Sequence, residues 1–227
     1  MKLIINGNAN RTFAQTMCLI FFPGEKFPEN DSTGSDDTTP VVRLDYKEFD
    51  DGIFASCDMT VGDDATHGEW FEKYRIDTPA YRTGKKSIGN AIYQAGVALM
   101  GSAPPWGILT GVRPAKISEE YIRQGLDYSD LPDALERDYH VTEPKSKLLT
   151  EITKVEMKAF SLAKPDTCSL YVSIPFCPSK CAYCSFVSYA TKNLLSLIPE
   201  YLDRLICDIR ETALRIKEAG NRIITVY

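Results

Sequence analysis

Three cysteines within eight residues, Cys177, Cys181 and Cys184, are the part of this sequence best suited to chemistry. Thiolates are soft ligands that select iron–sulfur clusters, zinc or copper(I) over hard cations. The C-x3-C-x2-C spacing lets one short loop wrap three irons of a cubane and leaves the fourth iron without a nearby protein ligand. A structural zinc site is the competing reading, with Cys168 or His140 as fourth ligand. Such sites more often use pairs of C-x2-C, and no second pair is present. Cys18, Cys57 and Cys207 fall on or beside apolar faces and read as small core residues, as does Cys168 just ahead of a strand. His67 and His140 read as plain surface or loop residues. Arg113 and Lys116 stand beside a Gly-Val-Arg-Pro turn that leads into a helix. Planar guanidinium pairs well with carboxylate there, and the plainer alternative is an exposed basic pair.

The elements that must position these residues follow from periodicity. Lys2–Asn6 reads as a strand turned by Gly7, and Phe13, Met17 and Ile20/Phe21 recur at helical spacing before Pro23-Gly24. Residues 23–40 are polar and rich in turn formers, which predicts a long exposed loop. Val42, Leu44 and Tyr46 alternate as in a strand, and so do Ile53, Ala55, Cys57, Met59 and Val61. From there the pattern turns helical, with helices expected over residues 87–100, 117–123 and 143–163. The last has Thr142 as N-cap and an apolar face of Leu148, Leu149, Ile152, Val155, Ala159 and Phe160. Lys164-Pro165-Asp166 marks a boundary between an α+β domain over 1–165 and a second segment over 166–227. That segment reads as a strand over 170–174, a cysteine loop over 175–186, an amphipathic helix over 193–219 and a strand from Arg222. The helix carries Ile198, Leu202, Leu205, Ile209 and Ile216 on one face and closes at Gly220. A strand–helix–strand series opens a parallel α/β sheet or barrel, and two strands cannot close one, so the sequence is expected to be a truncated piece.

Composition limits the function classes. A formal charge of −5 over 227 residues argues against broad electrostatic binding to nucleic acid or an anionic membrane, while leaving room for a local basic pocket. The apolar run Met17–Phe22 is far short of the ~20 residues that cross a bilayer. Seven cysteines with three clustered predict metal binding in a cytoplasmic protein before they predict disulfides, and the sequon at Asn30 is then an accident.

The loop Tyr171-Val-Ser-Ile-Pro-Phe-Cys177-Pro-Ser-Lys-Cys181-Ala-Tyr183-Cys184-Ser-Phe186 resembles the cluster motif of radical S-adenosylmethionine enzymes. More narrowly, it resembles that of the oxygen-independent coproporphyrinogen III oxidases and their relatives. Upstream, Trp106-Gly-Ile-Leu-Thr-Gly-Val-Arg-Pro-Ala-Lys116 is similar to a stretch of the coproporphyrinogen dehydrogenase branch that has a long N-terminal extension. The resemblance implies a radical-SAM α/β barrel of partial TIM type, truncated here after its second strand. It implies that Cys177, Cys181 and Cys184 ligate a [4Fe–4S] cluster, that S-adenosylmethionine takes the open iron, and that Tyr171 and Tyr183 contact that cofactor. The implied reaction cleaves the cofactor to methionine and a 5′-deoxyadenosyl radical, which takes hydrogen from a propionate side chain. Loss of carbon dioxide then leaves a vinyl group, turning coproporphyrinogen III into protoporphyrinogen IX. The partners implied are a tetrapyrrole substrate and a reduced electron donor such as a flavodoxin or ferredoxin, with the fragment alone inactive.

Two positions depart from the oxidase pattern. Ser173 stands where those enzymes usually have His, and Phe186 where some have another Cys. Haem-binding chaperones of the same superfamily share the aromatic ending but usually begin close to the cluster motif. A haem carrier and a zinc-stabilised binding module are therefore the alternatives to an enzyme.

Overall fold

The computed structural model describes residues 1–27, 38–76, 78–111, 113–179, 181, 184 and 186–227. These form two compact units, Met1–Val155 and Glu156–Tyr227. The first unit holds the strands β1 (Lys2–Asn6), β2 (Val41–Phe49), β3 (Gly52–Val61) and β4 (Asp64–Lys73), in the sheet order β1-β2-β3-β4. β1 pairs parallel with β2, so the chain crosses over through the helix α1 (Arg11–Phe21); β2, β3 and β4 form an antiparallel meander. Asn10 caps α1, its side-chain oxygen accepting from the Phe13 amide at 2.8 Å. Alternation in β2 and β3 puts Val42, Leu44, Ile53, Ala55, Cys57 and Met59 in the interior, as their period of two requires. The helix α2 (Ala80–Met100) lays Ile88, Ala91, Ile92 and Ala95 on that face, and α1 adds Met17 and Cys18.

Two expectations for this region need correction. β4 fills residues that carry no apolar alternation, and α2 begins at Ala80, not at residue 87. The inward positions of β4 are Thr66, Gly68, Trp70 and Glu72. They are chosen by how closely α2 approaches, not by hydrophobicity. A Cβ on Gly68 would lie 2.3 Å from the Ala91 carbonyl oxygen, and Thr66 donates its hydroxyl to the Ala95 carbonyl at 2.9 Å. Ser87 anchors the other end of the contact, its hydroxyl placed 3.0 Å from the carbonyl oxygens of both Ile53 and Trp70.

A second, smaller core gathers Ala115, Leu131, Leu135, Val141 and Leu149. It is built by α3 (Ala115–Arg123), α4 (Leu131–Tyr139) and the start of α5 (Glu143–Phe160), α4 being a helix that the sequence pattern did not reveal. Thr142 presents its carbonyl to the amides of Lys145 and Ser146 as an N-cap does, but its hydroxyl goes to the Pro105 carbonyl. Of the expected apolar face of α5 only Leu149 is buried. Ser146, Leu149, Thr150 and Thr153 are buried, whereas Leu148, Ile152 and Val155 are exposed. The buried hydroxyls are satisfied locally, Thr150 and Thr153 donating to the carbonyls of Ser146 and Leu149, which lets a polar face pack. Gly107 crosses the end of α4 with φ +54°, and a Cβ there would meet the Tyr139 carbonyl oxygen at 2.0 Å.

The second unit pairs β5 (Thr167–Leu170) with β6 (Arg222–Val226) in parallel, connected through α6 (Lys192–Leu195) and α7 (Ile198–Glu218). The expected strand over 170–174 therefore sits earlier, at 167–170, although the Val172 amide still bonds the Tyr227 carbonyl at 2.8 Å. The single helix expected over 193–219 is broken at Ser196-Leu197. Pro199 lacks the amide that a continuous helix would need and fits the first turn of α7 instead. Four of the five stripe positions, Ile198, Leu205, Ile209 and Ile216, are half-buried, as is Tyr201, while Leu202 is exposed. Gly220 at φ +73° ends the helix, and the Asn221 amide reaches back to the Ile216 carbonyl at 3.0 Å. No helix among the described residues is long and apolar enough to cross a membrane.

Candidate metal centre

The cysteine loop is pinched at its neck. Phe176 and Tyr189 form a parallel bridge in which the Tyr189 amide donates to the Pro175 carbonyl at 2.7 Å and the Cys177 amide donates to the Tyr189 carbonyl at 3.1 Å. The two rings lean on one another, and Phe176 leans on α7. The Phe176 ring stands edge-on to Tyr201 at 5.0 Å and tilted against Tyr189 at 5.9 Å, and the Tyr201 hydroxyl donates to the Ser173 carbonyl at 2.5 Å. The two ends of the stretch are thus joined to each other through Phe176 and Tyr189, and the first end is held to α7 through Tyr201. Inside, the Cys184 amide donates to the Cys181 carbonyl at 3.0 Å, a turn that sets two of the three cysteines on one bend.

Cys177 and Cys184 are half-buried, Cys181 is exposed, and all three are free thiols. Among the described residues no three His, Cys, Asp or Glu side chains come together closely enough to hold a metal ion. The three thiols share one clamped loop and not a preformed cage. A short loop of this kind closes around a metal as its ligands deprotonate and bind, so binding and ordering are coupled. The donor set, three thiols, fits a soft metal or an iron–sulfur cluster.

The remaining site residues separate clearly. Tyr171 is 61% exposed and stacks on Tyr227 with ring centroids 5.4 Å apart. Tyr183 lies outside the described residues. Cys18 and Cys57 are fully buried, and burial pushes both thiols up, that of Cys18 to about 12, which makes them inert core residues as expected. Cys207 corrects its expectation, being exposed, and Cys168 lies half-buried in β5.

His140 also differs from its reading as a surface residue. It is half-buried, its ring stacks on Tyr93 at 4.3 Å, and its Nε2 lies 2.6 Å from Asn90 Oδ1. Asn90 Nδ2 donates to the Lys86 carbonyl, so Oδ1 must accept and His140 Nε2 carries the proton. Burial, with Lys86 nearby, holds its pKa below the usual histidine range. That contact makes it a structural pin. No spacing signal in the sequence could have found it. His67 is exposed as expected, paired with Asp58 at 2.7 Å. Arg113 lies 3.6 Å from Glu119, and both Arg113 and Lys116 line a cavity in the first unit.

No protein-family model matches the chain, and no solved structure matches it. Two curated proteins do. The chain is 27% identical over 190 residues to the oxygen-independent coproporphyrinogen-III oxidase-like protein HemZ of Bacillus subtilis (strain 168), an alignment covering 82% of this chain and 38% of that protein. Over 52 residues it is 48% identical to the heme chaperone HemW of Buchnera aphidicola subsp. Schizaphis graminum, covering 22% of this chain and 13% of that protein. The chain thus spans less than two fifths of the length of the curated relatives that it matches. It is similar in sequence to HemZ over most of its own length and to HemW over a shorter stretch.

Proposed function

We propose that this chain belongs to a radical S-adenosylmethionine protein of haem metabolism, in which Cys177, Cys181 and Cys184 hold a [4Fe–4S] cluster. The observation that carries the reading is the three-cysteine loop set between two parallel strands and closed by the Phe176–Tyr189 bridge, with Phe176 against α7. Residues 166–227 are on this reading the opening strand–helix–strand unit of an α/β barrel, and residues 1–165 a separate α+β domain. When bound, the cluster and S-adenosylmethionine would supply an electron and a 5′-deoxyadenosyl radical able to remove hydrogen from a propionate chain of coproporphyrinogen III, whose loss of carbon dioxide, with one electron passed to a one-electron acceptor, leaves a vinyl group. This chain's own residues position that chemistry. The Phe176–Tyr189 bridge fixes where the loop leaves the sheet, and the Cys181–Cys184 turn presents two thiolates together. On this reading Tyr171 and Tyr183 would contact the cofactor. A flavodoxin or ferredoxin is the reductant.

Anaerobic reconstitution with iron and sulfide tests the site. The expected product is brown, with about four irons and four sulfides per chain. Cys177→Ala, Cys181→Ala and Cys184→Ala should each lose the colour, and Cys168→Ala should keep it. A colourless protein holding one zinc ion would sink this reading. The 48% identity to a heme chaperone supports a second one, a haem carrier without turnover. Release of carbon dioxide and 5′-deoxyadenosine with vinyl product marks the enzyme, whereas stoichiometric haem binding without them marks the carrier.

A further inference from the structure

The first unit has an open cleft of about 470 Å³ between the end of β4, the start of α2 and α3, a size suited to a small-molecule ligand. Lys73, Arg75, Lys85 and Lys116 line it, and none of the four has a carboxylate partner among the described residues. Three further cations at its edge are held by acids: Arg82 by Glu120 at 2.6 Å, Lys86 by Glu72 at 3.1 Å and Arg113 by Glu119 at 3.6 Å. The carboxylates that line the cavity are thus already engaged, and a chain of formal charge −5 concentrates positive charge in one concavity. Like charges gathered this way repel, and an anion that enters relieves the repulsion. The rest of the lining mixes the polar side chains of Thr78, Thr83, Thr110 and Gln124 with apolar and aromatic ones. Ile108, Leu109 and Ile117 contribute aliphatic surface, and the rings of Phe13 and Tyr81 lie 5.5 and 5.8 Å from Lys85 Nζ.

Cations distributed around a hollow whose wall includes aliphatic side chains and rings suit a ligand with an apolar body and several separated anionic groups. A single compact phosphate would leave the apolar lining unmatched. We propose that this cavity is a binding site for a multivalent carboxylate built on an apolar ring system, held by Lys73, Arg75, Lys85 and Lys116. The choice of a tetrapyrrole as that ring system rests on the proposed function. The site itself lies wholly within residues 1–155 and needs no metal centre.

The test is a fluorescence titration of the full chain with coproporphyrin III, a tetracarboxylate, in 50 mM and 500 mM salt. Binding should weaken at least tenfold at the higher salt and at least tenfold in Lys85→Gln/Lys116→Gln, with Arg43→Gln on the exposed part of β2 unchanged. Urea midpoints of the variants should match the wild type, which separates lost binding from lost folding. A chain with Cys177, Cys181 and Cys184 all replaced by Ala should bind as the wild type does. If it does so while no cluster can be reconstituted in the wild type, the cavity stands and the radical reading falls. If the cluster forms but Lys85→Gln/Lys116→Gln binds as the wild type does, the cavity inference is overturned alone. Loss of binding in the cysteine variant also overturns it, as does displacement of the porphyrin by inorganic triphosphate at equal or lower concentration, which would make the site a polyphosphate one.

Discussion

Replacing Gly68 by alanine perturbs the first unit where sheet and helix come closest. Its new Cβ would sit 2.3 Å from the Ala91 carbonyl oxygen and 2.7 Å from the Ala95 amide nitrogen, both backbone atoms of α2 that cannot rotate aside. Ordinary contact begins near 3.4 Å, so α2 must retreat from β4 by about 1 Å. That movement strains the hydrogen bonds that tie the pair, Thr66 to the Ala95 carbonyl at 2.9 Å and the Glu69 amide to Gln94 at 3.1 Å. Overpacking of this kind costs about 1–3 kcal/mol, and each weakened hydrogen bond adds up to ~1 kcal/mol. Alanine returns ~0.4–1 kcal/mol by restricting the unfolded chain. The expected net loss is about 2–3 kcal/mol, a large share of a typical total of about 5–15 kcal/mol. Gly89→Ala is the matched control, because its Cβ would lie 3.3 Å from Ile108 and gains up to ~1 kcal/mol of helix propensity. Urea unfolding followed by tryptophan fluorescence reads the right unit, since both tryptophans, Trp70 and Trp106, lie within residues 1–155. A Gly68→Ala protein within about 0.5 kcal/mol of wild type would refute the close packing of β4 on α2. Because α2 carries Lys85 and Lys86, the same substitution should also weaken porphyrin binding.

His140 gives a pH signature. Its folded pKa is depressed by burial, so the unfolded chain binds the proton more readily, and the stability it contributes is present above about pH 6.5 and lost as pH falls through the folded pKa. His140→Asn tolerates the positive φ of 56° and removes the titration, so the wild type should lose stability relative to the variant between pH 7 and pH 5, read as diverging urea midpoints; parallel profiles would exclude the assignment. Thiol accessibility gives another check. In the metal-free native protein, Cys181 and Cys207 should react with a maleimide far faster than Cys18 and Cys57, as mapped by mass spectrometry, and equal rates would mean that the first core is not formed as described.

What the amino-acid sequence determined by itself is what short-range pattern can encode. Val42 and Leu44, then Ile53, Ala55, Cys57 and Met59, declare two strands because alternate side chains of a one-sided sheet must be apolar. The stripe on α7 and the stop at Gly220 are legible for the same local reason, as are three thiols whose spacing alone sets the metal chemistry open to them. Tertiary structure decided whatever depends on a neighbour distant in sequence. β4 escaped detection because its inward residues are matched to the backbone of α2, where a missing side chain at Gly68 serves better than an apolar one. Apart from Leu149, the buried face of α5 is hydroxylic because Ser146 meets Glu136 and the threonines bond back to their own helix, so hydrophobicity pointed to a side of which only Leu149 is buried. His140 became a pin only when folding brought Asn90 and Tyr93 to it. The basic cavity is assembled from residues on β4, α2, the following loop and α3. No window of sequence contains it, because charge convergence is a property of position in space and not of order along the chain.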